Sequence, residues 1–225
     1  MISLTSRFIA LAFLLVLVGC SSFESNPMAQ MLHHAIPQSD NSERSQFDPA
    51  YHYLRVAVGD NVIFMASDTP DVDSKKYVNV WYSAGREVLR FQNGRLVAAV
   101  GLATEWRRVV IPELPAWSVL AVAKEPVRWM RIRDVMPGYR FGVHDSLLLR
   151  RIPPPNDSQI KKIDPQQLTW FEERIETQQA DDLPLARYAV DLRDTKESVV
   201  YGEQCVSAKL CFSWQRWPVR AEEKK

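Results

Sequence analysis

An excess of charge of either sign is missing from this sequence, and so is any apolar run long enough to cross a bilayer as a helix. Lysine and arginine number 28 against 27 aspartate and glutamate, and with Arg7 set aside in the leading segment the two signs balance. That balance excludes electrostatic nucleic-acid binding, which draws on clustered lysine and arginine; the pair Arg107-Arg108 is too small a cluster to reverse it. Histidine is scarce at four and cysteine at three. No histidine or further cysteine lies near Cys205 and Cys211 to complete four ligands, so a zinc site is not expected there. Helical heptads, glycine repeats and solenoid periods are absent, which removes coiled coils and repeat arrays. A phosphate loop and a nucleophile with a suitably spaced base are missing too. The reading is therefore of a non-enzyme with no catalytic residue, no metal and no cofactor. Were catalysis to arise from residues distant in sequence, His52, Asp60 and His144 would be the first to test.

What is present begins with the leader. Phe8–Val18 is an unbroken run of eleven apolar residues behind Arg7, too short for a spanning helix, which needs about 20 residues. It reads as an export signal. Leu17-Val18-Gly19-Cys20 closes it, with Gly19 supplying the small side chain a peptidase needs and Cys20 a thiol able to take a thioether-linked diacylglycerol. This resembles the bacterial lipoprotein signal. Ser21 stands where an aspartate would retain the chain, so general lipoprotein rules imply sorting to the outer membrane. The expected organisation is a signal peptide over 1–19, a disordered tether over 20–46 and one β-rich domain over 47–225. A flexible tether of this length reaches roughly 28 Å. His33-His34 within it reads as solvated, and Asp68, Asp71 and Asp73 read as a solvated loop because the spacing lacks the glycine and terminal glutamate of a calcium loop. With Cys20 lipidated, Cys205 and Cys211 remain in an oxidising compartment, where pairing is the default. Five residues lie between them, so the bridge is a local clip on a turn.

The domain itself alternates. Tyr51–Val58 and Val62–Ala66 flank the turn residues Gly59-Asp60-Asn61, and Val78, Val80 and Tyr82 alternate with polar neighbours before Ala84-Gly85. Asn93-Gly94 supplies two residues that tolerate positive φ, the requirement of a type I′ hairpin. That turn sets Phe91 opposite Leu96 and Leu89 opposite Ala98, with Gln92 opposite Arg95 and Arg90 opposite Val97. Val127–Val135 and Tyr139–Arg151 read as two long strands, apolar on both faces and so central in a sheet. Ala116–Ala123 suits a short helix or a strand, with the helix preferred after Pro115. His144-Asp145-Ser146 holds the residue types of a hydrolase triad, but neighbours on a strand point to opposite faces and cannot converge. Pro153-Pro154-Pro155 fixes an extended segment, expected to cross between two lobes or sheets. The fold class is mainly β: an antiparallel curved sheet or barrel-like sandwich of about nine to eleven strands.

Phe91-Gln92-Asn93-Gly94-Arg95-Leu96-Val97, followed by Gly101-Leu102, resembles the central hairpin of the YjbF/GfcB family of bacterial lipoproteins, encoded with exopolysaccharide and group 4 capsule secretion genes. The lipoprotein signal, the polar tether, Trp129-Met130-Arg131 leading into Gly138-Tyr139, and the run from Arg187 to Trp217 fall in the expected order. The Cys205/Cys211 pair and the proline-rich stretch after Ile152 depart from the family pattern. The resemblance implies a strand over 168–175 carrying Glu172-Glu173, where Leu168, Phe171 and Ile175 alone would equally line a helix. Adjacent carboxylates on a strand splay apart, so solvation or local pairing suits them better than paired acid/base work. The resemblance further implies a non-catalytic accessory in polysaccharide export, lipid-anchored at the periplasmic face of the outer membrane. Its partners would be the membrane, through acyl chains, and either the polysaccharide or another secretion protein. A β-domain that handles lipid or lipoprotein in an apolar cavity is the alternative, and a polysaccharide-acting enzyme the second. Trp81, Trp106 and Trp129 are the candidate ligand-contact aromatics; each taken singly is also an ordinary packing tryptophan.

Overall fold

Twelve strands account for most of the described residues, and each hydrogen-bonds only to the strands before and after it until the last meets the first. In the computed structural model the described residues are 47–67, 77–176, 183–193 and 197–219; Cys20, His33, His34, Asp68, Asp71 and Asp73 lie outside them. Turn residues punctuate the first half into β1 (His52–Val58), β2 (Asn61–Ser67), β3 (Val78–Tyr82), β4 (Val88–Gln92), β5 (Arg95–Val100) and β6 (Glu105–Val110). After a 16-residue connection that holds helix α1 (Trp117–Ala121) come β7 (Val127–Met136), β8 (Arg140–Ile152), β9 (Thr169–Ile175), β10 (Ala186–Asp191), β11 (Ser198–Ser207) and β12 (Leu210–Trp217). All pairings are antiparallel, and β1 pairs with β12 from Tyr53↔Trp217 to Ala57↔Ser213, which closes the sheet into a single-domain barrel. Closure leaves no sheet edge exposed for pairing with another chain.

Consecutive antiparallel strands place their connections at alternating ends of the barrel. The β4–β5 turn, the connection holding α1 and the β10–β11 connection therefore share the end at which β1 begins. A barrel of twelve strands has a wide bore unless side chains fill it. Here large aromatics reach across it: Phe91 on β4 lies 4.8 Å from Trp214 on β12, and Trp106 on β6 donates its indole N–H to the Val206 carbonyl on β11 at 2.9 Å. These contacts join strands that are not neighbours in the wall, so they must cross the interior. The outer wall is charged, with Arg108, Arg128 and Arg150 exposed and paired to Asp134, Glu176 and Glu172. An arginine facing lipid at a bilayer midplane costs about 2–4 kcal/mol, so this wall is built for water.

Two expectations about the long strands and the prolines need correction. Met130 is 54% exposed: β7 is central only in having two neighbours, and its outer face meets solvent, so the double-sided apolar pattern did not signal two covered faces. The 153–168 segment does not cross between lobes. It runs over the outer wall, where Ile160 and Ile163 pack on Leu168, Trp170, Ala189 and Tyr201. Its backbone is tied down by Lys161 N–H to Gln215 Oε1 at 2.9 Å and Gln215 Nε2 to the Lys161 carbonyl at 2.7 Å.

The hairpin register is met in part. Asn93 and Gly94 have φ of 49° and 74°, and Phe91↔Leu96 and Gln92↔Arg95 pair as the type I′ turn dictates. A β-bulge at Val97 then shifts the rest by one, so Leu89 faces Ala99 and Arg90 faces Ala98. Ala116–Ala123 contains the short helix, and 169–175 is a strand. Cys205 and Cys211 sit opposite each other across the β11–β12 hairpin and form a disulfide. So small a ring stabilises by only about 2 kcal/mol in the chain-entropy model. The Cys205→Ser/Cys211→Ser protein should accordingly fold, with its urea midpoint lowered by no more than that energy; an unfolded double variant would contradict the local-clip reading.

Candidate functional site

The strand parity that fills the barrel with tryptophan also brings charge inside. On β7, Val127, Trp129, Arg131, Arg133 and Val135 share one face, and on β8 so do Asp145, Leu147 and Leu149. Arg131 stands directly opposite Asp145 in register. Arg131 Nε meets Asp145 Oδ2 at 2.6 Å; Arg133 grips the same carboxylate with Nε at 2.5 Å and Nη2 at 2.8 Å. All three residues are at most 4% exposed. Both guanidiniums also lie over the Trp106 ring, 4.6 and 4.8 Å from its centroid, a cation–π arrangement that is stronger when desolvated. Burial pushes the Asp145 carboxyl up, but the Arg133 hydrogen bonds and the Arg131 charge outweigh it and hold the group below the usual carboxylate range.

Glu173 on β9 extends the cluster, with Oε1 3.7 Å from Arg131 Nη1 and accepting from the Tyr188 hydroxyl at 3.4 Å. Burial dominates here and raises its carboxyl above the usual value despite Arg131 and Arg95. Burial also raises the Tyr188 phenol, and the Glu173 charge adds to it. Arg95 completes the group, its guanidinium stacked 3.8 Å from the Trp117 centroid. Trp117 opens α1, which seats on the barrel end. Ala116 gives that helix no side-chain cap. Glu197 caps it instead, accepting from Trp117 N–H at 2.7 Å, from Ser118 N–H at 3.0 Å and from the Ser118 hydroxyl. The Trp117 indole donates to the Asn93 carbonyl at 3.2 Å.

The residues singled out from sequence fall into separate places. Trp81, Trp106 and Trp129 are all buried, at 2, 0 and 7% exposure; they line the interior and not a shallow outer groove. Asn93, Gly94 and Arg95 form the turn under α1, whereas Gly101, with φ of 84°, turns the chain at the opposite end. His144 is exposed while Asp145 beside it is buried, so the two point to opposite faces as strand geometry requires. His52 is half-buried and Asp60 exposed in the β1–β2 turn. Glu172 pairs with Arg150 on the wall and Glu173 with Arg131 inside, as local pairing requires, but Glu173 is 3% exposed, which corrects the expectation of solvation for that residue. Sequence reading missed Arg131, Arg133 and Tyr188. The available signal was parity, since each shares a face with buried apolar residues two positions away.

The outer wall carries a separate cleft of about 420 Å³ between 151–154 and 166–170, with Arg151, Gln166 and Thr169 beside Pro153 and Pro154. That volume lies within the usual range for small-molecule sites, about 300–1,000 Å³. Among the described residues, no group of three or more histidine, cysteine or acidic side chains is placed to hold a metal ion.

Comparison with known proteins bears on this architecture. The fold is similar to that of the hypothetical lipoprotein YmcC from Escherichia coli (K12), with a TM-score of 0.55 and 13% identity over 90% of this chain and 99% of that one. No curated protein matches the sequence. The model of the YjbF family, described as group 4 capsule polysaccharide lipoprotein gfcB, YjbF, matches residues 37–212. That span takes in the hairpin, the buried cluster and the disulfide. The chain belongs to the YjbF/GfcB family of capsule polysaccharide lipoproteins.

Proposed function

We propose that this lipoprotein is a non-catalytic accessory of capsule or exopolysaccharide export, held at the periplasmic face of the outer membrane by acyl chains on Cys20. Its barrel acts by association, with the polymer or with another secretion component. Membership of the family over residues 37–212 carries this reading. The chemistry of the interior supports it: Asp145 is held as a carboxylate by two arginines, and its neighbour His144 points to the opposite face, so the two do not form an acid/base pair. The outer cleft offers polar groups beside the apolar rings of Pro153 and Pro154, a surface suited to a sugar unit. The lipid-handling alternative asks for an open apolar chamber, whereas Trp81, Trp106, Trp117 and Trp214 are packed together in the buried core of this barrel.

The test is a deletion strain grown under polymer-producing conditions, with retained and released polymer both measured. Deletion should change the exported polymer, and unchanged polymer would count decisively against the assignment. Wild-type protein should complement it. Cys20→Ala should leave the outer-membrane fraction and complement poorly. Alanine at His52, Asp60, His144 or Glu172 should complement fully, because association does not hang on one acid or base. A folded single variant without function, together with polymer turnover by the wild type, would establish the enzyme reading instead.

A further inference from the structure

Beneath α1 the barrel holds polar atoms that it does not itself satisfy. Arg95 is 3% exposed, and its guanidinium carbon lies 3.8 Å from the Trp117 centroid, 5.9 Å from that of Tyr188 and 6.0 Å from that of Trp129. Stacking uses the face of the guanidinium and leaves its in-plane N–H groups available. Arg95 Nε and Nη2 have no hydrogen-bond partner among the described residues, and the same holds for Trp129 Nε1 and Glu173 Oε2. Most buried side-chain polar atoms in folded proteins are paired, so four unpaired ones grouped about Arg95 ask for a partner.

The identity of the free atoms narrows what that partner is. Nε and Nη2 form the edge of a guanidinium that takes a carboxylate through two parallel hydrogen bonds. Arg133 uses that very pair of nitrogens on Asp145. Charge points the same way. Arg95, Arg131 and Arg133 face Asp145 and Glu173 in this buried group, so even with both carboxyls ionised positive charge is in excess, where uncompensated charge is costly. A planar carboxylate fits one free guanidinium edge, whereas a tetrahedral dianion would want more donors than Arg95 and the Trp129 indole provide.

We infer that the Nε/Nη2 edge of Arg95 beneath α1 is a binding site for a carboxylate group, reached when α1 lifts from the barrel end and the Trp117 ring vacates the space over the guanidinium. The helix is suited to that movement. It has five residues, far below the roughly 12–15 at which an isolated helix begins to persist; lifting it withdraws the buried Trp117 and Leu120 side chains from the core and breaks a few contacts at the rim. These are the Glu197 cap, the Trp117 indole on the Asn93 carbonyl, and Arg151 Nη1 on the Ala121 carbonyl at 3.2 Å. Opening is then a local event that spares the strands. An acidic sugar and a simple organic acid both carry the carboxylate; the site chemistry is common to the two, and it stands whether or not the protein serves polysaccharide export.

The test is a titration of the ¹⁵N-labelled full-length mature lipoprotein in detergent, following the Arg95 Nε–H and Trp129 indole N–H resonances. Sodium acetate, sodium glucuronate and glucose are the probes. Both carboxylates should shift both resonances saturably, and glucose should shift neither. Glucuronate at least tenfold tighter than acetate would assign the site to an acidic sugar, and comparable or weaker glucuronate to a simple acid. Arg95→Lys keeps the charge but loses the edge, and should weaken binding by about tenfold or more, the worth of one charge-assisted hydrogen bond. Trp129→Phe removes one donor, and should weaken binding while leaving the Arg95 response in place. It also serves as the deciding variant if Arg95→Lys does not fold. Absence of a saturable shift with either carboxylate, or shifts of unchanged affinity in the folded variants, overturns the proposal.

Discussion

Asp145→Asn is expected to destabilise the barrel by about 3–5 kcal/mol, the loss typical when one partner of a buried ionic group is removed. The change preserves volume, so it isolates charge. A neutral amide at this position would leave Arg131 and Arg133, at 4 and 0% exposure, without the carboxylate that both now hold. Trp106 beneath them offers only a π face in compensation. Glu173→Gln should behave in the opposite way. Burial already raises that carboxyl towards its neutral form, so a neutral isostere at neutral pH should cost little or stabilise. Urea unfolding of the two variants against wild type measures the contrast, and equal losses would refute it.

The same two carboxyls give opposite pH dependences. Asp145 has its folded value depressed, so its contribution is present above the unfolded aspartate value, about 3.9, and is lost as pH falls through the folded value. Glu173 has its folded value raised; its contribution is fully present below the unfolded glutamate value, about 4.3, and is lost as pH rises through the folded value. Acid unfolding of the wild type should therefore carry the Asp145 contribution, and Asp145→Asn should flatten the stability curve below about pH 4.

Much of this was open to a reader of the sequence, and the buried cluster shows where reading stopped. Alternation and turn chemistry marked β1 through β5, because each apolar face and each turn residue carries its own local signal. The Asn93-Gly94 turn even fixed two cross-strand pairs correctly. Closure of the barrel was not legible, since the β1–β12 pairing joins residues more than 150 apart and depends on the twist of every strand between. The bulge at Val97 was hidden for a related reason: Ala98 and Ala99 are alike, so no side chain signalled which should face Leu89. At the ionic cluster the obstacle was chemical habit. Arginine, aspartate and glutamate are rarely buried, so composition alone gave Arg131 and Asp145 no interior role and suggested solvation or local pairing for Glu173, although parity with Trp129, Leu147 and Phe171 placed all three inside. Their burial follows from mutual pairing, which is a three-strand property that no single strand displays.

Gly94→Ala should lower stability by about 2–5 kcal/mol, the sum of a left-handed backbone penalty and an overpacking penalty. Gly94 has φ of 74°, and a Cβ built there would lie 2.1 Å from Val199 Cγ2 and 2.4 Å from Val199 Cβ. Neither neighbour moves freely, because Val199 is 2% exposed on β11 and the turn is closed on both sides by β4 and β5. A double-variant cycle separates the two penalties. Val199→Ala in the Gly94→Ala background should recover the steric share and leave the backbone share, whereas Val199→Ala alone should destabilise by opening a cavity. The turn also carries the Asn93 carbonyl that receives the Trp117 indole, and the Arg95 guanidinium stacks on that same ring. Strain at Gly94 should therefore reach α1, and the folded fraction of Gly94→Ala should show altered tryptophan fluorescence and faster hydrogen exchange across 117–121. A Gly94→Ala protein within about 0.5 kcal/mol of wild type, the range of an ordinary surface change, would mean that the turn has room to relax. The motif Asn93-Gly94-Arg95 would then owe its form to something other than holding α1 on the barrel end.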